Sequence, residues 1–301
     1  MGQKAGPDHP PFYKFMKAST AEIVLTNRTL RWSTPAAFND PFDMQFDLEL
    51  PHVDEALKAE HLTKHYESMT GVGPCDLNNK LGLVNAFFAR RLKETGQTFT
   101  RADFDEEMAG AFDEMVQRGA AAIAELQSDL RRHMASEKVL CLTDRIDSVQ
   151  QWSHYADEHR GVALQFVTPP GVDSPWSQAR KVDYADDMPL LLTRGEYTDF
   201  TSGRGVMEVE RTLHRIIYTK AREWQNENEW RIATGYGRDA KAPHEDIPFN
   251  RNELGAVIFG CRVERETKER LAKLAAANFP HARLLQAGKA AREFRVTVDR
   301  H

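Results

Sequence analysis

Four short stretches of this chain of 301 residues gather polar and aromatic side chains where a plain strand or helix would not put them: Tyr13-Lys14, Phe38 to Asp43, Trp152 to Tyr155, and Trp224 to Arg231. Two tryptophans beside carboxylates and amides suggest a cleft with flat walls and hydrogen-bonding groups. In REWQNENEWRIA the final part alternates, so Glu227, Glu229 and Arg231 fall on one face of a strand and Asn228, Trp230 and Ile232 on the other. That polar face belongs either to the cleft or to an exposed strand whose Glu229–Arg231 ion pair is worth at most about 1 kcal/mol. In WSHYADEHRG, Trp152 and Tyr155 are three apart and share a helix face, while Ser153, His154, Asp157 and His159 turn to the other sides. Core anchoring by Trp152 is the competing account. FNDPFD reads as a turn: Asn39 and Asp40 bond their own backbone and Pro41 fixes φ, which also serves simply to set the sheet.

Other motif-like features carry less. His61 and His65 lie four apart on one helix face, but HLTKH lacks the glutamate of a metalloprotease helix and has no clear third ligand nearby, so solvated surface is the expectation. The glycine pairs in GVG, SGRG and TGYG lack the third glycine or the Gly-Lys-Ser/Thr ending of a phosphate loop. There is no Gly-x-Ser-x-Gly elbow, and none of Cys75, Cys141 and Cys261 is flanked by a histidine pattern, so nucleophilic acyl transfer has little support. Asp40, Asp43 and Glu229 are the hard oxygen donors that Mg²⁺ would need in a hydrolase.

The elements that must hold these residues fall into two kinds. PFYKFM is a strand, Ser19 to Asn27 a short helix with Ser19 or Thr20 as its cap, and TLRWS a second strand, which makes β–α–β. From about Pro51 to Glu137 apolar residues recur three and four apart, the pattern of amphipathic helices, with Thr100 or Asp103 capping the last and longest. Strand patterns return at KVLCLTD, GVALQFV and ARKVDYAD. A helix follows from about Gly205 to Lys220, then strands at NEWRIAT, EDIPF and LGAVIFG, the helix ERETKERLAKLAAANF, and strands at ARLLQ and EFRVTVD. The expected fold is α+β, a mixed β-sheet core with flanking helices. It is one domain over 1–301 with an all-helical insertion or cap at 51–137.

Composition sets outer limits. A chain of 34.3 kDa, 41% hydrophobic and 28% charged, has the make-up of an ordinary globular protein and not of a disordered one. A net charge of −5 gives no chain-wide cationic field for nucleic acid or anionic membrane. Three scattered cysteines suggest neither a disulfide framework nor a two-plus-two zinc site. No apolar run of about 18 residues and no leader pattern is visible, and MGQKAG lacks the myristoylation residue at position 6, so a cytoplasmic protein without membrane contact is expected.

FYKF, TLRWSTPAAFNDPFD, VLCLTDRIDSVQQWSHYADEHRGVALQF, VDY, IIYTKAREWQNENEWRI and LGAVIFG, in that order, make the chain resemble the uncharacterised bacterial family called domain of unknown function 2971. The resemblance covers nearly everything except the helical block 51–137, and the pairing of Asn-Asp-Pro-Phe with Trp-Ser-x-Tyr is distinctive. A second resemblance is to the ADP-ribosyltransferase scaffold. It rests on Tyr13-Lys14 ending the first strand, a short helix, a strand leading to Ser33, and a late strand bearing Glu229. In that family an Arg or His after the first-strand aromatic helps to hold NAD, an aromatic stacks on nicotinamide, and a late-strand glutamate directs the ribosyl cation; here Lys14 stands in place of the Arg or His.

The resemblance implies an NAD-consuming enzyme that transfers ADP-ribose to protein, nucleic acid or water, with a toxin or phage-defence role and no metal. Glu229 and Tyr155 would be catalytic, and Tyr13, Lys14, Asn39, Asp40, Trp152 and Arg231 would hold NAD. Glu229 beside the 2′-hydroxyl would stabilise an oxocarbenium-like state. Lys14 would hold phosphate or ribose oxygens, Tyr155 or Trp152 would form the nicotinamide wall, and Asn39 would supply amide contacts. Two other readings stand beside it: a ligand-binding or sensing module whose helical block 51–137 meets a protein partner, and the Mg²⁺-dependent hydrolase.

Overall fold

Large side chains on both sides of Lys14 make Phe12 to Met16 a strand buried on both faces, paired with β-strands on either edge. In the computed structural model, which describes residues 10–300 apart from 170, 172, 173 and 236, the elements run in chain order as follows. They are β1 (Phe12–Met16), α1 (Ala18–Asn27), β2 (Thr29–Ser33), α2 (Glu55–Thr70), α3 (Lys80–Thr95), α4 (Arg101–Glu107), α5 (Ala111–Ser136) and β3 (Val139–Thr143). Then come α6 (Val149–His154), β4 (Val162–Phe166), β5 (Arg180–Lys181), β6 (Asp183–Ala185), α7 (Arg194–Thr201), α8 (Val209–Tyr218) and β7 (Thr219–Ala221). The chain ends with β8 (Glu229–Ala233), β9 (His244–Pro248), β10 (Leu254–Phe259), α9 (Arg265–Asn278), β11 (Arg283–Lys289) and β12 (Val296–Arg300). The start MGQKAG lies outside the described residues, as does Tyr236 of TGYG.

The fold is α+β. Ten strands form one mixed sheet in the order β12-β11-β10-β4-β1-β3-β2-β9, with β8 joined to β3 and β5 to β8; β10 and β11 are parallel and the other pairs antiparallel. Phe12, Leu30, Trp32, Leu142, Leu164 and Val257 make one core layer with Leu25 of α1 and Leu271 of α9. Tyr13, Phe15, Ala163, Ile258 and Leu285 make the layer on the other face, against Trp152 of α6.

The chain forms two compact units. The sheet unit comprises residues up to 45, 133–186 and from 217 onward, and the helical unit comprises 46–132 and 187–216. The helical unit therefore draws on α7 as well as on the helices of the 51–137 block.

Several local expectations are corrected. The cap of α1 is Lys17, with no side-chain bond, and neither Ser19 nor Thr20 serves. Thr100 and Asp103 do form a reciprocal capping box, but on the short α4; the chain breaks at Gly110, whose φ is 78°, before the long α5 starts. The helix expected over 205–220 is α8, and Thr219 to Ala221 is strand. His61 and His65 are not solvated: they are 2% and 5% exposed. Together with Leu57 and Ser68 they form the inward stripe of α2, so the four-residue spacing is that of a packing face. His61 Nδ1 lies 2.9 Å from Thr201 Oγ1 of α7, and burial, with the neighbouring His65, lowers the His61 pKa to about 4.

Candidate functional site

The sheet is split at β3. Along one edge β3 pairs with β8 from Val139 to Thr143, but on its other edge β1 reaches only Thr143 and β2 only Val139. Between them Lys14 Nζ donates to the Cys141 carbonyl at 2.7 Å. A side chain thus supplies the donor that a continuous strand would have offered. A cavity of about 300 Å³ opens here, lined from the sheet unit alone. Among the predicted residues Tyr13, Lys14, Asn39, Asp40, Tyr155 and Glu229 line it, although they come from β1, the turn after β2, the end of α6 and β8. Volumes of this size suit a small ligand or one end of a larger one.

Trp152 and Arg231 do not line it. Trp152 is fully buried in the core beside Phe15, with its indole N–H bonded to the Ile146 carbonyl at 2.8 Å. It cannot serve as a nicotinamide wall. Tyr155 caps α6 with its backbone still in the right-handed helical region and its N–H on the Gln151 carbonyl. It packs against the same core layer as Trp152, as the shared helix face requires, while its hydroxyl reaches Glu227 in the cavity wall. Asp157, Glu158 and His159 follow with φ of 49°, 51° and 71°, three successive left-handed residues without a glycine. Backbone of this kind persists only where its surroundings impose it, and here it carries the chain from Tyr155 in the cavity wall to β4.

The floor of the cavity is a buried charge cluster. Glu229 and Arg231 do share a face of β8, with Ile232 in the core on the other, but that face is no exposed surface: Glu229 is 4% exposed and Arg231 0%. Glu227 is not on the strand at all; it belongs to a 3-10 turn that Asn228 closes in the left-handed region, φ 44°. Lys220, at the centre of β7, donates to Glu227 Oε2 and Glu229 Oε2, each at 2.7 Å. Arg231 donates to Glu229 Oε1 at 2.7 Å and to Asp43 Oδ2 at 2.7 Å. Tyr155 completes the chain by donating its hydroxyl to Glu227 Oε1 at 2.7 Å, and Tyr184 accepts from the Glu229 backbone N–H at 2.8 Å.

These contacts fix protonation. Burial pushes the Glu229 carboxyl up, but Arg231 and Lys220 overcome it and hold Glu229 well below the usual carboxylate range, hence ionised. Burial works against the charge on Lys220 too, and Glu229, Glu227 and Asp43 reverse it, keeping the ammonium charged. Asp43 differs: burial, with help from Glu229, raises its carboxyl above the ordinary value despite Arg231 and Lys220. Burial and Glu227 raise the Tyr155 phenol, and burial lifts Tyr184 to about 12, so both remain protonated donors or acceptors. Burial and Glu229 likewise raise the Cys141 thiol, so it is no nucleophile.

The Mg²⁺ triad fares poorly on charge. Asp40 Oδ1 accepts from the Phe42 N–H at 2.9 Å as the Asx turn requires, and both Glu229 oxygens are already held by cations. Among the described residues no group of three His, Cys, Asp or Glu side chains is placed to hold a metal ion.

Sequence reasoning missed Lys220, and it gave Trp224 and Asp43 no role in holding NAD although both lie in stretches whose composition pointed to a cleft. Nothing in TKAREW marks Lys220 for burial; its role depends on β7 lying beside the 3-10 turn, and Trp224 stacks over its ammonium at 5.2 Å.

Residues 151–232 match the family model described as a protein of unknown function (DUF2971). The resemblance to that family is thus shown over the stretch that carries Tyr155, Lys220, Glu227, Glu229 and Arg231. No curated protein and no solved structure gives a significant match. No helix among the described residues is long and apolar enough to cross a membrane.

Proposed function

We propose that this protein is an NAD-consuming enzyme of the ADP-ribosyltransferase type, acting in the cytoplasm on a protein or nucleic acid acceptor, or on water, in a toxin or phage-defence role. The observation that carries this reading is Glu229, a carboxylate kept ionised at the base of a cavity whose walls include Tyr13, Phe38, Tyr155 and Trp224. Cleavage of the nicotinamide–ribose bond develops positive charge on the ribose, and a fixed carboxylate in a largely dehydrated site stabilises that charge far better than water does. Arg231 and Lys220 orient Glu229 from below. Lys14, which also bonds the Cys141 carbonyl, and Arg31, which pairs with Asp246, are wall cations that would meet phosphate oxygens, and Tyr155 offers a flat face to the nicotinamide. Asn39 and Asp40 supply polar contacts from the turn. In this reading the helical block 51–137 is the surface open to an acceptor or partner protein.

One observation favours a non-catalytic ligand-binding or sensing module instead: both Glu229 oxygens already bond to cations, so much of its charge is neutralised before any ligand arrives. Incubating the protein with NAD⁺, with and without cell lysate and nucleic acid, and following nicotinamide release separates the two. Release that Glu229→Gln abolishes and EDTA leaves intact supports the enzyme. Release lost on chelation points to the Mg²⁺ hydrolase, and NAD⁺ binding without any release points to the module.

A further inference from the structure

Asp43, Glu227 and Glu229 bring six carboxylate oxygens to the floor of the cavity, and five of them have partners. Glu227 is satisfied by Tyr155 and Lys220, Glu229 by Arg231 and Lys220, and Asp43 Oδ2 by Arg231. Asp43 Oδ1 is buried and bonds to nothing among the described residues. An orphaned carboxylate oxygen in a side chain only 4% exposed costs free energy in the empty protein, so such atoms are rare without a purpose. The adjacent backbone is strained: Met44, bulky and buried, adopts φ 58° directly after Asp43. Asp43 lies with Glu229 in the wall of the cavity.

We propose that Asp43 is a ligand-contacting residue of this cavity, its Oδ1 accepting a hydrogen bond from an O–H or N–H group of the bound molecule. The inference rests on the dinucleotide reading above for its choice of probes. In that ligand the donor is the carboxamide N–H of nicotinamide or the 2-hydroxyl of ribose. Glu229 then faces developing charge, while Asp43 selects for a neutral donor beside it.

Asp43→Asn tests this sharply, because its amide oxygen satisfies Arg231 and its NH₂ then faces the ligand, turning acceptor into donor at nearly constant shape. Calorimetric titration with NAD⁺ is expected to show affinity at least about tenfold weaker in Asp43→Asn than in the wild type, with an unchanged melting temperature. Wild-type titrations then assign the donor. A tenfold preference for nicotinamide over methyl nicotinate identifies the amide, and one for ribose 5-phosphate over 2-deoxyribose 5-phosphate identifies the hydroxyl. If a folded Asp43→Asn binds NAD⁺ as tightly as the wild type, the inference is overturned and the dinucleotide reading stands. If the wild type binds NAD⁺ with neither probe pair discriminated, the inference is overturned even where Asp43→Asn fails to fold. If the wild type binds none of these molecules, the dinucleotide reading falls and the inference with it.

Discussion

Lys220→Met removes, among the described residues, the one cation that Glu227 contacts and one of two that hold Glu229, at nearly constant side-chain volume. Each of the two contacts is 2.7 Å long, and at an effective dielectric constant of about 20 each is worth about 6 kcal/mol before desolvation. Burying the ammonium, which is 9% exposed as a residue, takes back much of this. What remains is the cost of leaving buried carboxylates short of a partner, about 3–5 kcal/mol when one member of a buried ion pair is deleted. For a unit the size of the sheet unit this corresponds to a fall in melting temperature of roughly 10 °C. The assay is thermal unfolding followed by circular dichroism from pH 9 down to pH 3. Because Lys220 has its pKa raised above the ordinary value, its contribution is fully present throughout the neutral range. Glu229 has its pKa lowered, so the stability it confers is present above its ordinary value of about 4.5 and is lost progressively as the pH falls from there toward the much lower folded-state value. The deficit of the variant should therefore be largest at neutral pH and shrink below about pH 4.5. A variant melting within about 2 °C of the wild type at pH 7, or a deficit that grows on acidification, would refute the account of the cluster.

The histidine pair gives a second expectation. His61 is neutral in the folded helical unit, with a pKa of about 4 against an ordinary 6.5, so stability is lost between those two pH values as the unfolded chain takes up the proton. This contribution amounts to about 3 kcal/mol, and urea titrations of the wild type and His61→Leu at pH 7, 5.5 and 4 should show an acid loss smaller by about that much in the variant, where His65, also lowered by burial, remains. Gly161→Ala places a Cβ 2.2 Å from the Met16 carbonyl and 3.0 Å from that of Ala156, neither of which can yield without moving β1 or the turn after α6. A loss of about 2 kcal/mol or more is expected in denaturant titration, and full wild-type stability would contradict this packing.

Strand and helix identity was legible wherever a segment carried its own periodicity. TLRWS is β2 to the residue, and LGAVIF, buried on both faces, is β10. The Asx turn at Asp40 was equally plain, because the bond from Asp40 Oδ1 to the Phe42 N–H spans two residues and needs no tertiary partner. Burial of charge was not legible. A Glu-x-Arg alternation is the same string on a wet strand and on the floor of a cavity, and only Lys220 and Asp43, brought in from 9 and 186 residues away, decide which it is. The same holds for Trp152 and Tyr155: both pack on one core layer, but Trp152 is fully buried there while Tyr155 lines the cavity and bonds Glu227, which comes from a distant turn. Local pattern fixes backbone conformation because hydrogen bonds and rotamers act over a few residues. The protonation state and orientation of a buried side chain depend on desolvation and on charges a few ångströms off, and those neighbours exist only once distant segments have met.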